Sequence, residues 1–223
     1  MQNKTINNHQ YLYHNTHVYS LKSILEFGLK VANGKMSKAI NDKKVKVFFS
    51  EGIEGAIAMA ENFKRNFEYM KKGTEWEYKS LEDFLEERVF LRFWSDDIIN
   101  ENTGDFSFAD GYTSQEIPPN KLKVCVLKNI QTGKISYQRD DILKYMLATH
   151  PFEKFKNGND KHKSDIAKYY EERLEELSNF DSKIYILEDM DLDKFYEQYI
   201  SNRLDIKPKE YAELLLSKQR TNV

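Results

Sequence analysis

Tyr11-Leu12-Tyr13-His14-Asn15-Thr16-His17 is the segment from which the chain is best read. Side chains of an extended segment alternate between two faces, so Leu12, His14 and Thr16 share one face and Tyr11, Tyr13 and Asn15 the other. The pattern predicts a strand over residues 10–16. An imidazole and a hydroxyl two positions apart then point the same way and can both hydrogen-bond a single ligand.

Downstream, Ser20 stands where an N-cap is needed, and Leu21, Ile24, Leu25 and then Phe27 or Leu29 recur at helical spacing. A helix over 20–29 is predicted, with Gly28 near its end. A polar loop over 33–44 leads to a second strand over 45–50, apolar through Val45, Val47, Phe48 and Phe49 and closed by Ser50. Period two turns Phe48 and Phe49 to opposite faces, so only one of the two rings can meet a ligand and at least one belongs to the core.

Helical periodicity returns through Ile53, Ala56, Ile57, Ala60 and Phe63, over 53–67. Ser80-Leu81-Glu82-Asp83 reads as a capped helix start, and 88–93 alternates like a strand. Residues 100–114 carry Gly104, Asp105, Asp110 and Gly111 around Phe106, Phe108 and Tyr112, which predicts an aromatic-rich loop. Two strands, 121–128 and 134–138, flank the tight turn Gln131-Thr132-Gly133. Beyond them a helix is predicted over 139–149, closed by Pro151, then a polar linker at 156–163 and a charged helix over 164–178. A last strand over 183–187 and helices near 191–203 and 208–218 complete the reading. The predicted class is α+β: a β-rich core over 1–138 and a mostly helical C-terminal portion over 139–223 packed on it.

Composition narrows the function classes. The 223 residues can bury a proper core without disulfides or metals. Lys plus Arg number 34 against 36 Asp plus Glu, a net charge of −2, which gives no overall attraction to nucleic acid or anionic lipid. The single Cys125 lies in an apolar run and reads as a small core residue, and one thiol permits no internal disulfide. Residues 1–10 are polar, and no apolar stretch approaches a membrane span. These features predict a soluble, cytoplasmic protein with no membrane partner, and are compatible with an effector exported without a signal peptide. The sequence offers no Cys/His metal spacing, no P-loop and no Gly-x-Ser-x-Gly elbow. His150 and His162, in a polar linker, read as surface residues.

The order of a His-x-Thr strand, an amphipathic helix ending in Gly28-Leu29 and an apolar strand ending in Ser50 resembles the NAD-binding front half of the ADP-ribosyltransferase superfamily. That class is shared by diphtheria toxin and the poly-ADP-ribose polymerases, and the resemblance covers about residues 10–128. It implies a split β-sheet core and NAD as substrate, with no metal. It also implies that His14 contacts a ribose hydroxyl, with Thr16 beside it, and that backbone groups around Tyr13 and Asn15 hold the nicotinamide amide. Phe49, followed by Ser50, stands where members of the His-Tyr-Glu type have the Tyr that stacks on nicotinamide. A phenyl face stacks as a phenol does, without the hydroxyl's hydrogen bond. Asn15 stands where many relatives have Gly, which admits a closer backbone approach.

By the same resemblance, Glu116, after Tyr112-Thr113-Ser114-Gln115, binds the nicotinamide-ribose 2′-hydroxyl and stabilises the charge that develops as nicotinamide leaves. Glu116 and His14 are the expected catalytic pair. The preceding loop, with Phe106, Phe108, Tyr112 and Ser114, is expected to meet a macromolecular acceptor, protein or nucleic acid. The implied activity is cleavage of NAD at the nicotinamide-ribose bond with transfer of ADP-ribose. A toxin, an effector or an anti-phage enzyme of an AT-rich bacterium or phage suits the Lys-, Asn- and Ile-rich composition. Two alternatives stand beside it. One is an RNA 2′-phosphotransferase, which shares the fold and consumes NAD but resembles its own relatives through an N-terminal domain and arginines without obvious counterparts here. The other is a non-catalytic module that binds NAD, ADP-ribose or a partner.

Overall fold

β1 (Tyr11–His17) forms where the alternation predicts it and pairs antiparallel with β3 (Arg88–Trp94), Leu12 opposite Phe93 and His14 opposite Leu91. The computed structural model describes residues 10–31, 47–50, 52–53, 87–98, 101–102, 111–149, 171, 175 and 178–203. The helices expected over 80–83 and 208–218, nearly all of that over 53–67, Phe106, Phe108, His150 and His162 lie outside them. Within the described residues the protein is α+β, with two antiparallel sheets.

The larger sheet has the order β1-β3-β6-β7, with β6 (Lys123–Asn129) and β7 (Ile135–Ser136) joined by the expected turn. Asn129 Oδ1 accepts from the N–H groups of Gln131 and Thr132 at 3.0 and 2.9 Å, which builds that turn from an Asx side chain. One edge of β6 is shared by β3 and β7, and the other pairs along its whole length with β8 (Tyr185–Asp191). The C-terminal portion therefore supplies a strand to the main sheet, longer than the sequence reading gave, as well as helices.

The second sheet has the order β2-β5-β4, from β2 (Val47–Phe49), β5 (Gly111–Thr113) and β4 (Glu101–Asn102). Here the reading of 100–114 as loop is corrected, because both ends of that stretch are strands. Gly111 and Tyr112 gain ladder hydrogen bonds from a β2 far away in sequence, a contribution that local turn chemistry does not reveal.

α1 (Leu21–Phe27) is the predicted helix, shorter at its C-terminal end. Ser20 is helical and makes no capping hydrogen bond, so the expected N-cap is not formed. A 3-10 turn, Val18–Ser20, precedes it, and His17 Nδ1 accepts the Tyr19 N–H at 3.3 Å to start that turn. Gly28 closes α1 at φ 75° and ψ −168°, a region that belongs essentially to glycine. Its backbone runs against Ile117, and Leu29 and Ile117 then exchange hydrogen bonds of 2.9 and 3.0 Å.

Each face of the larger sheet carries its own core. On one, Leu12, Val89, Leu91, Phe93, Val124 and Val126 pack with α1, Phe49, Ile117 and a helical segment made of α3 (Leu192–Phe195) and one π-helical turn, Tyr196–Ile200. On the other, Phe90, Cys125 and Leu127 pack with Ile53 and α2 (Arg139–Thr149). Burying a ring or a leucine side chain in this way stabilises the fold by roughly 1.5–3 kcal/mol each. Burial also pushes the Cys125 thiol up to about 12, so it behaves as the apolar residue the sequence implies. No described helix is long and apolar enough to cross a membrane.

Candidate functional site

Among the described residues one isolated bridge joins the two sheets. Tyr13 and Ser50 exchange both backbone hydrogen bonds at 2.9 Å, a single bridge between β1 and β2. A continuing ladder would next pair Asn15 with Phe48, because mutually bonded pairs in antiparallel strands recur every second residue. The Tyr13–Ser50 bridge is isolated. The Phe48 carbonyl instead accepts from His14 Nδ1 at 2.9 Å, a side chain standing in for a strand.

This bond sets the chemistry of His14. Burial pushes its imidazole below the ordinary 6.5, the Arg88 charge adds to the effect, and the Phe48 carbonyl opposes it. The ring is neutral at physiological pH, and a ring whose Nδ1–H donates to a carbonyl carries its lone pair on Nε2. Nε2 is therefore an acceptor, suited to a hydroxyl. His14 shares its face with Leu12 and the buried Thr16, as the alternation requires.

A pH dependence follows. Between the folded and unfolded values the unfolded chain binds more protons, so stability rises with pH across that window. The contribution is complete above about 6.5 and is lost as pH falls through the folded value. Thermal melts on acidification from pH 7 should drop less steeply for His14→Gln than for the wild type. Equal acid sensitivity in the two proteins would contradict the assignment.

The two rings of β2 divide as period two demands. Phe49 is 0% exposed and packs edge-on against Phe93 at 6.2 Å in the main core, so it presents no face for stacking. Phe48 turns the other way and meets Tyr112 edge-on at 6.2 Å across β5. Tyr13 and Ser50, read as cofactor-binding, use their backbone groups to pin the two sheets together. The Tyr13 ring packs beside the second core.

Asn15 is likewise committed to structure. Its side chain points away from His14 and Thr16, Oδ1 accepting from Arg88 Nε, and its carbonyl lies 3.4 Å from Arg88 Nη2. It does not fill the space that Gly would leave beside His14.

Glu116 and Ser114 are exposed on the segment after β5, where Gln115 N–H turns back onto Thr113 Oγ1 at 3.1 Å. The Leu29–Ile117 bridge makes Lys30 the cross-strand neighbour of Glu116, and Lys30 Nζ lies 2.7 Å from Glu116 Oε2. The structure thus joins His14 to the Phe48 backbone and the Phe48 ring to Tyr112, while Glu116, on the segment after β5, is paired with Lys30 and shares no described contact with His14. Among the described residues no group of three His, Cys, Asp or Glu is placed to hold a metal.

Three polar groupings escape a reading of the sequence. Arg92 pairs with Asp189, which also accepts from Tyr11 Oη at 2.8 Å; the guanidinium lies 4.2 Å from the Tyr11 ring, itself stacked on Trp94 at 3.8 Å. His17 Nε2 lies 3.2 Å from Glu87 Oε2, and Arg203 Nη2 lies 3.2 Å from the other Glu87 oxygen. Arg88 grips Asn15. The signal available for two of them was a pair of arginines, Arg88 and Arg92, on one face of an otherwise apolar strand, since buried cations require partners.

No family model, no curated protein and no solved structure matches this chain.

Proposed function

We propose that the protein is an ADP-ribosyltransferase that binds NAD in the split between β1 and β2 and cleaves its nicotinamide-ribose bond. The observation that carries this reading is the His14–Phe48 contact. It fixes a neutral imidazole with an accepting Nε2 beside the bridge that joins two antiparallel sheets, on the face that also bears Thr16. A ribose hydroxyl supplies the donor that such a nitrogen lacks.

Glu116 is the group proposed to stabilise the transition state. As the C1′–N bond breaks, its electron pair leaves with nicotinamide and the sugar becomes oxocarbenium-like. A carboxylate at the ribose stabilises that charge, and the acceptor nucleophile then bonds C1′ and gives up its proton. Lys30 must release Glu116 for this to occur. NAD carries a diphosphate, and its negative charge offers the ammonium another partner. The acceptor, protein or nucleic acid, meets the segment that includes Phe106, Phe108, Tyr112 and Ser114.

The Lys30–Glu116 pair also favours a second reading, a module that binds NAD without turnover. Incubation with labelled NAD and cell lysate separates the two. The enzyme releases nicotinamide and adds an ADP-ribose mass to protein, RNA or DNA; the sensor binds NAD in a calorimeter and releases nothing. Absence of both binding and release would sink both readings.

A further inference from the structure

We propose that Lys30 is a specificity-determining residue: it engages Glu116 until the diphosphate of a dinucleotide draws it away, so that the carboxylate is released for substrates whose ribose carries that group. The role of Glu116 in cleavage rests on the functional reading above. The ion pair itself does not.

The backbone beneath the pair is fixed. Gly28 ends α1 at φ 75°, and Leu29 and Ile117 then exchange hydrogen bonds of 2.9 and 3.0 Å in an isolated antiparallel bridge. Both bridge residues are buried. Lys30 and Glu116 follow as the next opposed pair, the arrangement in which opposite charges on neighbouring extended segments meet, and Lys30 Nζ lies 2.7 Å from Glu116 Oε2. The two side chains are nevertheless 48% and 50% exposed, so the ammonium can leave the carboxylate while the bridge stays closed. An exposed pair of this kind is held weakly enough to be exchanged for another anion.

While engaged, Lys30 works against cleavage. The electron pair of the C1′–N bond leaves with nicotinamide, the sugar gains positive charge, and water or another nucleophile bonds C1′ and gives up its proton. A carboxylate stabilises that positive charge, whereas an ammonium seated on the same carboxylate repels it. In NAD the diphosphate is attached to the 5′ carbon of the very ribose that Glu116 serves. An ammonium that reaches the carboxylate is therefore near the diphosphate too, and charge-assisted hydrogen bonds to phosphate oxygens offer it a second place. A compact charge on a flexible four-carbon stem suits an ion that changes partners. Nicotinamide riboside has the same scissile bond and no phosphate, so it leaves Lys30 on Glu116.

The test measures kcat/KM for release of nicotinamide from NAD and from nicotinamide riboside by wild type, Lys30→Met and Lys30→Arg. Lys30→Met should cleave the riboside about two- to fivefold faster than wild type, the scale of one exposed ion pair, and NAD no faster. Its preference for NAD over the riboside should fall by at least that factor. Lys30→Arg, which keeps the cation, should hold the preference near that of the wild type. A merely structural role would move both substrates together. If Lys30→Met gains nothing on the riboside, or if both substrates change by the same factor, the role of Lys30 is overturned while NAD cleavage stands. If none of the three proteins releases nicotinamide from either substrate, the functional reading falls and this role falls with it.

Discussion

Glu116→Gln should lower the rate of NAD cleavage about a hundredfold or more while leaving NAD affinity close to that of the wild type. The expectation comes from where the charge is needed. Glu116 stands on the exposed continuation of β5, half accessible, and contributes nothing to either core. Replacing a carboxylate by its isosteric amide there leaves the fold intact. What it removes is a negative charge, whose value appears only as nicotinamide departs; loss of one such preplaced group typically costs two to three orders of magnitude, roughly 2.7–4 kcal/mol in the barrier. The ground state does not use that charge on the sugar, so binding survives. The Lys30 pair lies at the surface and is worth at most about 1 kcal/mol, so its loss should leave the melting temperature nearly unchanged. Single-turnover rates and calorimetric affinity separate the two effects. Undiminished turnover in Glu116→Gln would remove this carboxylate from the mechanism.

Gly28→Ala is expected to be strongly destabilising, costing on the order of 3 kcal/mol or more. Two independent penalties coincide. The backbone sits at φ 75° and ψ −168°, a conformation L side chains avoid. A Cβ there would also lie 2.1 Å from the Ile117 carbonyl oxygen, which is backbone and cannot swing aside. Relieving the clash means separating α1 from the 117 segment and breaking the Leu29–Ile117 bridge, which sets Lys30 against Glu116. Activity should therefore fall along with stability. Gly133→Ala is the control, since Gly133 has a similar φ of 72° but open space around the missing Cβ. It should cost only the conformational part, about 1 kcal/mol. Equal denaturation midpoints for the two variants would contradict the role given to close approach at Gly28.

Much of the fold was legible because it is written locally. Alternation placed β1 and β3 within a residue or two, helical spacing placed α1 and α2, and Gln131-Thr132-Gly133 placed the β6–β7 turn. The failures were long-range. β5 and β4 exist because β2 is there to pair with them, and nothing in Gly111-Tyr112-Thr113 announces a partner before residue 50. Ser20 lost its capping role because His17 had already started a 3-10 turn ahead of it, and one residue's side chain decided that. At the site, period two established that Phe48 and Phe49 oppose each other, but which faces the core depends on Phe93, a residue of another sheet. The His14 and Thr16 face was readable from spacing; the bond from His14 to the Phe48 carbonyl was not, because it joins residues of two different sheets.

The location of the NAD site is open to one decisive measurement, backbone and ring resonances recorded during titration with NAD. The shifts should concentrate at His14, Thr16, Phe48 and Tyr112, with the His14 Nε2 signal moving as it accepts a ribose hydroxyl, and should spare Phe49 and Cys125. Saturable shifts confined to another surface, or none at millimolar NAD, would show that the split between β1 and β2 is not where this protein meets a dinucleotide.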